Sequence, residues 1–543
     1  GAQIQLGNYD SRRARGHINI PLGDTFALRA AAAFTQRDGY DYNLVTEKRV
    51  NGRDLWSSRV GALWRPNDRF NVNLLWEHFE EDDDRSRTGK QLCTRGETPG
   101  SLNWTDPDGG VRTSTVVANN WTGSSLTPGC QAKSLYTEEA FGAPNGIGFP
   151  IVTGLILTTP FTDSVSLPTD ARERWGNYLF QEHIDPFSPV SGRQSTDLRE
   201  IETFFDPVFR AKNDVIQLNI EAQITDHLTF HSQTLYMEDS YYGMQDYFRL
   251  NPQAGLIACA DGRTATPGWD DFLGTCTGSS ADPYGGGSFI DPQLGQQDRL
   301  VAVDLSQSSS KQWSQEFRLS SAFEGPVNFN LGANYLKFET EEDYYVFSNA
   351  FTIAALGQNF SEGFNADCTP GPFANPDPNA CVYIDPNPIG QLDGDGHNYY
   401  RNVNIAKTES WAVFGEGYFI LRPDLRVTAG LRYTEDKKTS TPVPTQLLAS
   451  TGAFSGATVG KGYPRYPDEV HEWGEWTGRF AVDWKPALAF TDDTLVYVSF
   501  SRGYKGGGTN PRGPDSGMAT NYSLLPSDFA PEDYEVDWKG RAT

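Results

Sequence analysis

At 543 residues the chain is too long for one ordinary hydrophobic core, which leaves several domains or one large closed architecture. Hydrophobic residues make up only 38%, aromatics reach 13% and 54 glycines punctuate the sequence, a β-rich profile that argues against a helical protein. The net charge of -25, with no offsetting basic patch, argues against a nucleic-acid partner, and no apolar run reaches the roughly 18 residues of a membrane helix. The nearest run, Ile147 to Phe161, is broken by Gly148, Pro150, Gly154 and Pro160 and reads as a packed loop.

The sequence begins at Gly1 without an initiator Met or signal peptide, and residues 1–8 already read as a strand, so an upstream part is expected. Gly1 to Asn8 and Ser11 to Ile20 predict a first hairpin. In Phe26 to Arg37, Phe26, Leu28, Ala30, Ala32 and Phe34 alternate with Arg29, Thr35 and Arg37, the period of two that sends side chains to opposite faces of a sheet. Leu55 to Arg65 repeats this, with Trp56, Val60, Ala62 and Trp64 against Arg59 and Arg65, and a short turn leads to a strand over Phe70 to Glu80. Eight residues separate Trp56 from Trp64, about 20 Å of height on a tilted strand, which is near the depth of an apolar band between two aromatic girdles.

The clearest stretch is Val215 to Tyr236, where Ile216, Leu218, Ile220, Ala222 and Ile224 oppose Gln217, Asn219, Glu221 and Gln223. A tight turn at Thr225 to His227 returns the chain through Leu228, Phe230 and Leu235. A hairpin over Gln312 to Phe338 turns at Glu324 to Pro326, and a longer pair over Asn402 to Lys437 turns at Arg422 to Asp424. In its second arm Val427, Ala429, Leu431 and Tyr433 face away from Arg426, Thr428 and Arg432. Phe480, Val482 and Trp484 end a further strand, and Val496, Val498 and Phe500 begin the next.

After the first two short turns, long and short connections alternate, so every long one falls on one end of the sheet. Such one-sidedness predicts a transmembrane antiparallel β-barrel with short periplasmic turns and long extracellular loops, placed in a bacterial outer membrane. The loops are expected near 38–54, 81–206, 240–299, 341–400, 438–472 and 504–531. Lipid would cover the apolar face, and closure would remove unpaired strand edges.

All six cysteines fall in those loops. Pairing Cys93 with Cys130, Cys259 with Cys276 and Cys368 with Cys381 is the simplest connectivity, closing loops of 37, 17 and 13 residues in an oxidising compartment. Free thiols or a metal site are the alternatives, although no CxxC or Cys/His cluster supports zinc.

Three segments carry a family resemblance. GNYDSRRARGHINIPLGDTFALRAAAAFTQRDGY, FGEGYFILRPDLRVTAGLRYTEDKK, and VYVSFSRGYKGGGTNP followed by FAPEDYEVDWKG resemble the barrel of TonB-dependent outer-membrane receptors, with Val536, Asp537 and Trp538 standing where the family prefers a Leu-Gly-Leu type sequence. The resemblance spans nearly all predicted strands. It implies 22 strands in the closed barrel, of which about 14 are counted here, and a plug domain with a TonB box outside this sequence. By the same resemblance the function is energised uptake: a scarce ligand, most often a ferric siderophore, binds loops and plug, and the TonB complex pulls on the plug. The outer-membrane lipid and lipopolysaccharide are the remaining partners.

Polar side chains of the inward parity, Arg29, Arg59, Gln217, Glu221, Arg426 and Arg432, are the candidates to face the lumen and plug, against the plainer reading that they only solvate the wall. Loop aromatics Trp104, Trp121, Tyr136 and Trp269 could stack on an aromatic siderophore or a sugar, or pack the loops. No cofactor is expected; calcium at acidic outer loops is the one candidate. Glu80, Glu81, Asp82, Asp83 and Asp84 could bind it or form a solvated strand end. Asp393, Asp395 and His397 fit a calcium loop poorly because position five is His and no Glu follows at position twelve. No catalytic spacing is visible, and SRGYKGGG lacks the ending of a phosphate loop, so an enzyme is not expected. A passive porin-like channel and a secreted all-β carbohydrate-binding or carbohydrate-active protein are the rival readings.

Overall fold

The computed structural model describes residues 1–87, 195–247, 289–297, 301–349, 400–443 and 467–508, with short pieces at 89–90, 92, 101–105, 111–115, 134, 136–141, 352, 369–370 and 384–392. Thirteen strands form one antiparallel sheet in which each pairs with its neighbour in chain order. They are β1 (Ala2–Gly7), β2 (Ser11–Leu22), β3 (Phe26–Arg37), β4 (Arg53–Asn67) and β5 (Phe70–Asp83). Then follow β6 (Val208–Thr225), β7 (Leu228–Asp246), β8 (Ala302–Ser321), β9 (Val327–Ser348), β10 (Tyr400–Arg422), β11 (Leu425–Pro442), β12 (Glu469–Trp484) and β13 (Val496–Arg502). Among the described residues β1 and β13 are the two ends of this sheet. The fourteenth strand expected at 534–539 lies outside the described residues.

Strand pairing places the short turns after β2, β4, β6, β8, β10 and β12 on one end. Backbone bonds stitch that end turn to turn: Arg65 N to Thr25 O, Gln223 N to Arg69 O, Ala322 N to His227 O, Ile420 N to Pro326 O and Lys485 N to Asp424 O, at 2.6 to 2.8 Å. All the long connections leave from the opposite end. Gly23, at the β2–β3 turn, has φ 77°, a left-handed conformation that glycine adopts without steric cost.

One face of the sheet is apolar and exposed. Ile18, Val60, Leu74, Ile216, Phe317, Leu331, Val413, Leu431, Phe480 and Phe500 all project from it. Near the long-loop end this face carries an aromatic band: Trp56, Trp76, Tyr236, Trp313, Tyr335, Trp411, Tyr433 and Trp476, with Trp313–Tyr335, Trp411–Tyr433 and Tyr433–Trp476 ring centres 5.5, 5.6 and 5.1 Å apart. Near the short turns Trp64 packs edge-on to Phe70, and Trp484 donates its indole N–H to Asp424 at 3.0 Å. An amphipathic ring with one apolar body and one polar tip suits a lipid–water boundary, so the two bands mark the depth of the apolar layer.

Immediately above the upper band the outward side chains become charged and paired: Lys311 with Glu238 at 3.2 Å, Lys337 with Glu339 at 2.8 Å, Lys407 with Glu409 at 2.9 Å and Lys437 with Glu472 at 3.1 Å. Tyr236, Tyr335 and Tyr433 donate upward to Glu238, Glu409 and Glu435. Ions in lipid are costly, so this belt is where the sheet leaves the apolar layer.

The strands run further than the alternation predicts. β9 continues to Ser348, β7 to Asp246 and β11 to Pro442. Their tops stand clear of lipid, and there the outward face gains a protein cover: Tyr242, Met244, Val303, Leu305, Tyr345 and Phe347 pack with Leu294 and Val301 beneath Phe204, Phe205, Ile384, Ile389 and Leu392. A second small unit pairs Asp41–Asn43 with Lys48–Val50 and Glu200–Ile201. It is pinned by the buried Asn43 amide, which donates to Thr203 O and Oγ1 at 2.9 Å and to Asp206 at 3.1 Å.

Candidate functional site

The face opposite the apolar one is predominantly polar, because each strand alternates and register carries that alternation across the sheet. All six residues singled out from the sequence lie on it. Arg29 pairs in register with Gly61 and Arg59 with Ala31 and Glu77, while Gln217, Glu221, Arg426 and Arg432 lie on β6 and β11. They form three groups along the wall instead of one cluster.

The first group lies across β2 to β5. Arg59 makes two bonds to Glu77, at 3.0 and 2.6 Å, and Arg29 donates to the Asn19 amide oxygen at 3.1 Å. The second surrounds a recess of about 220 Å³ lined by Asn71, Asn73, Glu221, His231, Glu316 and Arg318, in which Glu221 lies 3.8 Å from His231 and Arg318 2.9 Å from Glu316. Gln217 donates to Asn219 at 3.0 Å just above it. In the third group Arg426 binds Asp483 at 2.8 and 3.0 Å, and Arg432 donates to Asn334 and Thr434 while its guanidinium lies 5.4 Å from the Phe414 ring centre. That ring covers Gly332, where a Cβ would meet the Phe414 edge at 2.4 Å and the Phe317 carbonyl at 2.9 Å.

Several members of this wall escaped the sequence reading, among them Asn19, Glu77, His231, Glu316, Arg318, Asn334 and Asp483. Each sits at the inward parity of its strand, so the signal was present but needed register to be read. Leu235, grouped with the apolar positions, in fact pairs with Gln217 and Ser314 on the polar face. It belongs to a minor apolar row of that wall with Leu336, which Ser314 joins to it.

At the rim, strand alternation divides the acidic run. Glu80 and Asp82 point outward, toward His78 and Arg210, whereas Glu81 points inward between Arg53 and Arg85. Asp83 and Asp84 accept backbone N–H groups of Asp54, Arg85 and Gly52. The run therefore does not converge as one ligand set, and among the described residues no group of three or more potential metal ligands is arranged around a common point. Burial raises the carboxyl pKa values of Asp84 and Glu202 and lowers that of the Lys90 ammonium, which donates to the carbonyls of Ser195 and Asp197.

The SRGYKGGG motif folds against the polar face. Lys438 donates to Gly507 O at 2.6 Å, and a Cβ on Gly507 would lie 2.6 Å from the Trp473 ring, so close backbone approach accounts for this glycine without any phosphate. Tyr136 is exposed, next to the short 3-10 turn Glu138–Phe141. Trp104 belongs to the strand Ser101–Thr105, in register with Arg112. Trp121, Trp269, residues 393–397 and all six cysteines lie outside the described residues.

A family model described as TonB dependent receptor-like, beta-barrel, matches residues 161–533. The chain belongs to the TonB-dependent receptor β-barrel family. The five strands β1 to β5 precede the matched range and continue the same sheet, so the outer-membrane barrel extends N-terminally of it. No protein of curated function matches the sequence. Solved structures with similarity include the ferric yersiniabactin uptake receptor FyuA of Yersinia pestis, 10% identical, with 94% of this chain and 48% of that one covered and a TM-score of 0.45. The siderophore receptor PiuA of Acinetobacter baumannii is 11% identical, with 95% and 50% covered and a TM-score of 0.45. The ferric-catecholate import receptor Fiu of E. coli, in its closed form, is 12% identical, with 92% and 49% covered and a TM-score of 0.46. The chain spans about half the length of these receptors.

Proposed function

We propose that this TonB-dependent receptor barrel imports a scarce extracellular ligand, a ferric siderophore, through movement of a plug driven by the TonB complex and proton-motive force. The observation that carries the reading is the two-faced sheet. Its apolar face is bounded by two aromatic bands, and its opposite face is a wall of exchangeable polar contacts that includes Arg29, Arg59, Gln217, Glu221, Arg426 and Arg432. A plug held by such contacts can be released, since each exposed hydrogen bond or ion pair in water contributes only about 0.2 to 1.5 kcal/mol net. The long loops, with their aromatics, supply the first contact with the ligand.

Uptake of radiolabelled iron from a panel of siderophores, in iron-limited cells with and without the gene, tests this. Expected is loss of uptake for one siderophore class on deletion, and the same loss when the proton gradient is collapsed. Uptake that persists after collapse would identify a passive channel, and unchanged uptake on deletion would remove the siderophore assignment.

A further inference from the structure

The polar wall is not evenly charged. On β1 to β4 the inward positions carry Arg13, Arg15, His17, Arg29, Arg37, Arg53 and Arg59 and not one Asp or Glu, in a chain whose formal net charge is -25. From β5 onward the same face carries both signs, with Glu77, Glu81, Glu221, Glu316, Glu416, Glu475 and Asp483 beside Arg318, Arg426 and Arg432. Only strand register reveals this division, because outward acids such as Asp54 share the same segments.

Within the basic part lies a concavity of about 500 Å³ whose floor is Ala31, Ala33 and Ser57 and whose sides include Arg15, His17, Arg29, Arg59 and Glu77. Small residues at the centre and long cations at the margin make the hollow. The three arginines differ in their partners. Arg59 is neutralised by Glu77, but Arg15 donates to the Gln3 amide at 2.6 Å and Arg29 to the Asn19 amide at 3.1 Å. Among the described residues neither Arg15 nor Arg29 has a carboxylate partner. A neutral amide fixes the direction of a guanidinium without cancelling its charge, so both forks are held ready for an oxyanion.

We propose that this concavity binds a small carboxylate-rich anion on the lumen wall. The position lies between the depths of Trp56 and Trp64, well below the extracellular loops, so it would be met by a ligand on its way through the barrel and not at first capture. The inference goes beyond the siderophore assignment and does not depend on it, but it requires that the plug leave Arg15 and Arg29 accessible.

Citrate is a suitable probe, titrated calorimetrically at low salt against the detergent-purified protein. Binding is expected, weakening as salt screens the charges, and R15Q/R29Q should lower the affinity about tenfold or more. Glu77→Gln releases Arg59 and should strengthen binding several-fold, a gain that misfolding would not produce. Inorganic phosphate distinguishes a general oxyanion site from a carboxylate-selective one: equal affinity for both probes overturns the carboxylate assignment. No citrate binding at low salt, or affinity unchanged in R15Q/R29Q, overturns the site itself. So does failure of phenylglyoxal to modify Arg15 and Arg29 in the wild type, because that would mean an acidic segment of the protein already occupies the hollow. These outcomes are read on purified protein, whereas the transport reading is tested in cells, so either can fail alone.

Discussion

The outward face of β8 and β9 tells two stories at levels 12 to 16 residues apart along the strands. At mid-strand Phe317 and Leu331 are 47% and 48% exposed, whereas near the strand tops Leu305 and Phe347 on the same face are 0% exposed. Nothing in their residue types separates the two sets. What differs is the cover: lipid around the lower set, and the segments carrying Phe204, Leu294 and Ile389 over the upper one. The paired Lys and Glu belt between them is the boundary at which one kind of burial gives way to the other.

The difference can be broken most sharply at the top. Phe347→Ala should cost about 3 to 5 kcal/mol, as for a large side chain removed from a packed protein core, and should loosen the loop cover without unfolding the lower sheet. Hydrogen exchange resolved by segment would show it, and uniform loss of protection along β9 would contradict the separation of the two regions. Next in size, Leu331→Arg, placed toward lipid between Val327 and Tyr335, should cost about 2 to 4 kcal/mol in a bilayer. Unfolding from vesicles measures this, and an effect near zero would mean that Leu331 does not face the apolar layer.

The smallest effect is a pH dependence confined to the rim. Burial holds the carboxyls of Asp84 and Glu202 above their usual values, so the folded state binds their protons more tightly than the unfolded chain does. Stability of the rim should therefore rise as pH falls through the raised values, and the gain should level off below the ordinary 3.8 and 4.5. Exchange protection of residues 200–206 measured against pH checks the sign, and Glu202→Gln should flatten the profile.

The hairpin β6–β7 was legible because Ile216 to Ile224 and Gln217 to Gln223 alternate without interruption, and lipid on one side with polar solvent or protein on the other demands just that pattern. The top of β9 was not, since Tyr344, Tyr345, Val346 and Phe347 are all apolar or aromatic; with a cover on both faces the period of two vanishes, and the segment reads as loop. The same limit applied to the wall. Arg29, Arg59 and Arg432 could be assigned to a face from their own strands, but their partners Asn19, Glu77 and Asn334 lie 10, 18 and 98 residues away.

Alternation and the lengths of the connections, both local properties of the chain, were enough to establish the strands, their two faces and the end from which the loops emerge. The side-by-side register of the strands is a non-local property, set by many weak hydrogen bonds and contacts acting together. Only that register decided that the arginines of β2 to β4 gather over a floor of Ala31, Ala33 and Ser57, and that part of the apolar face is closed by protein instead of lipid.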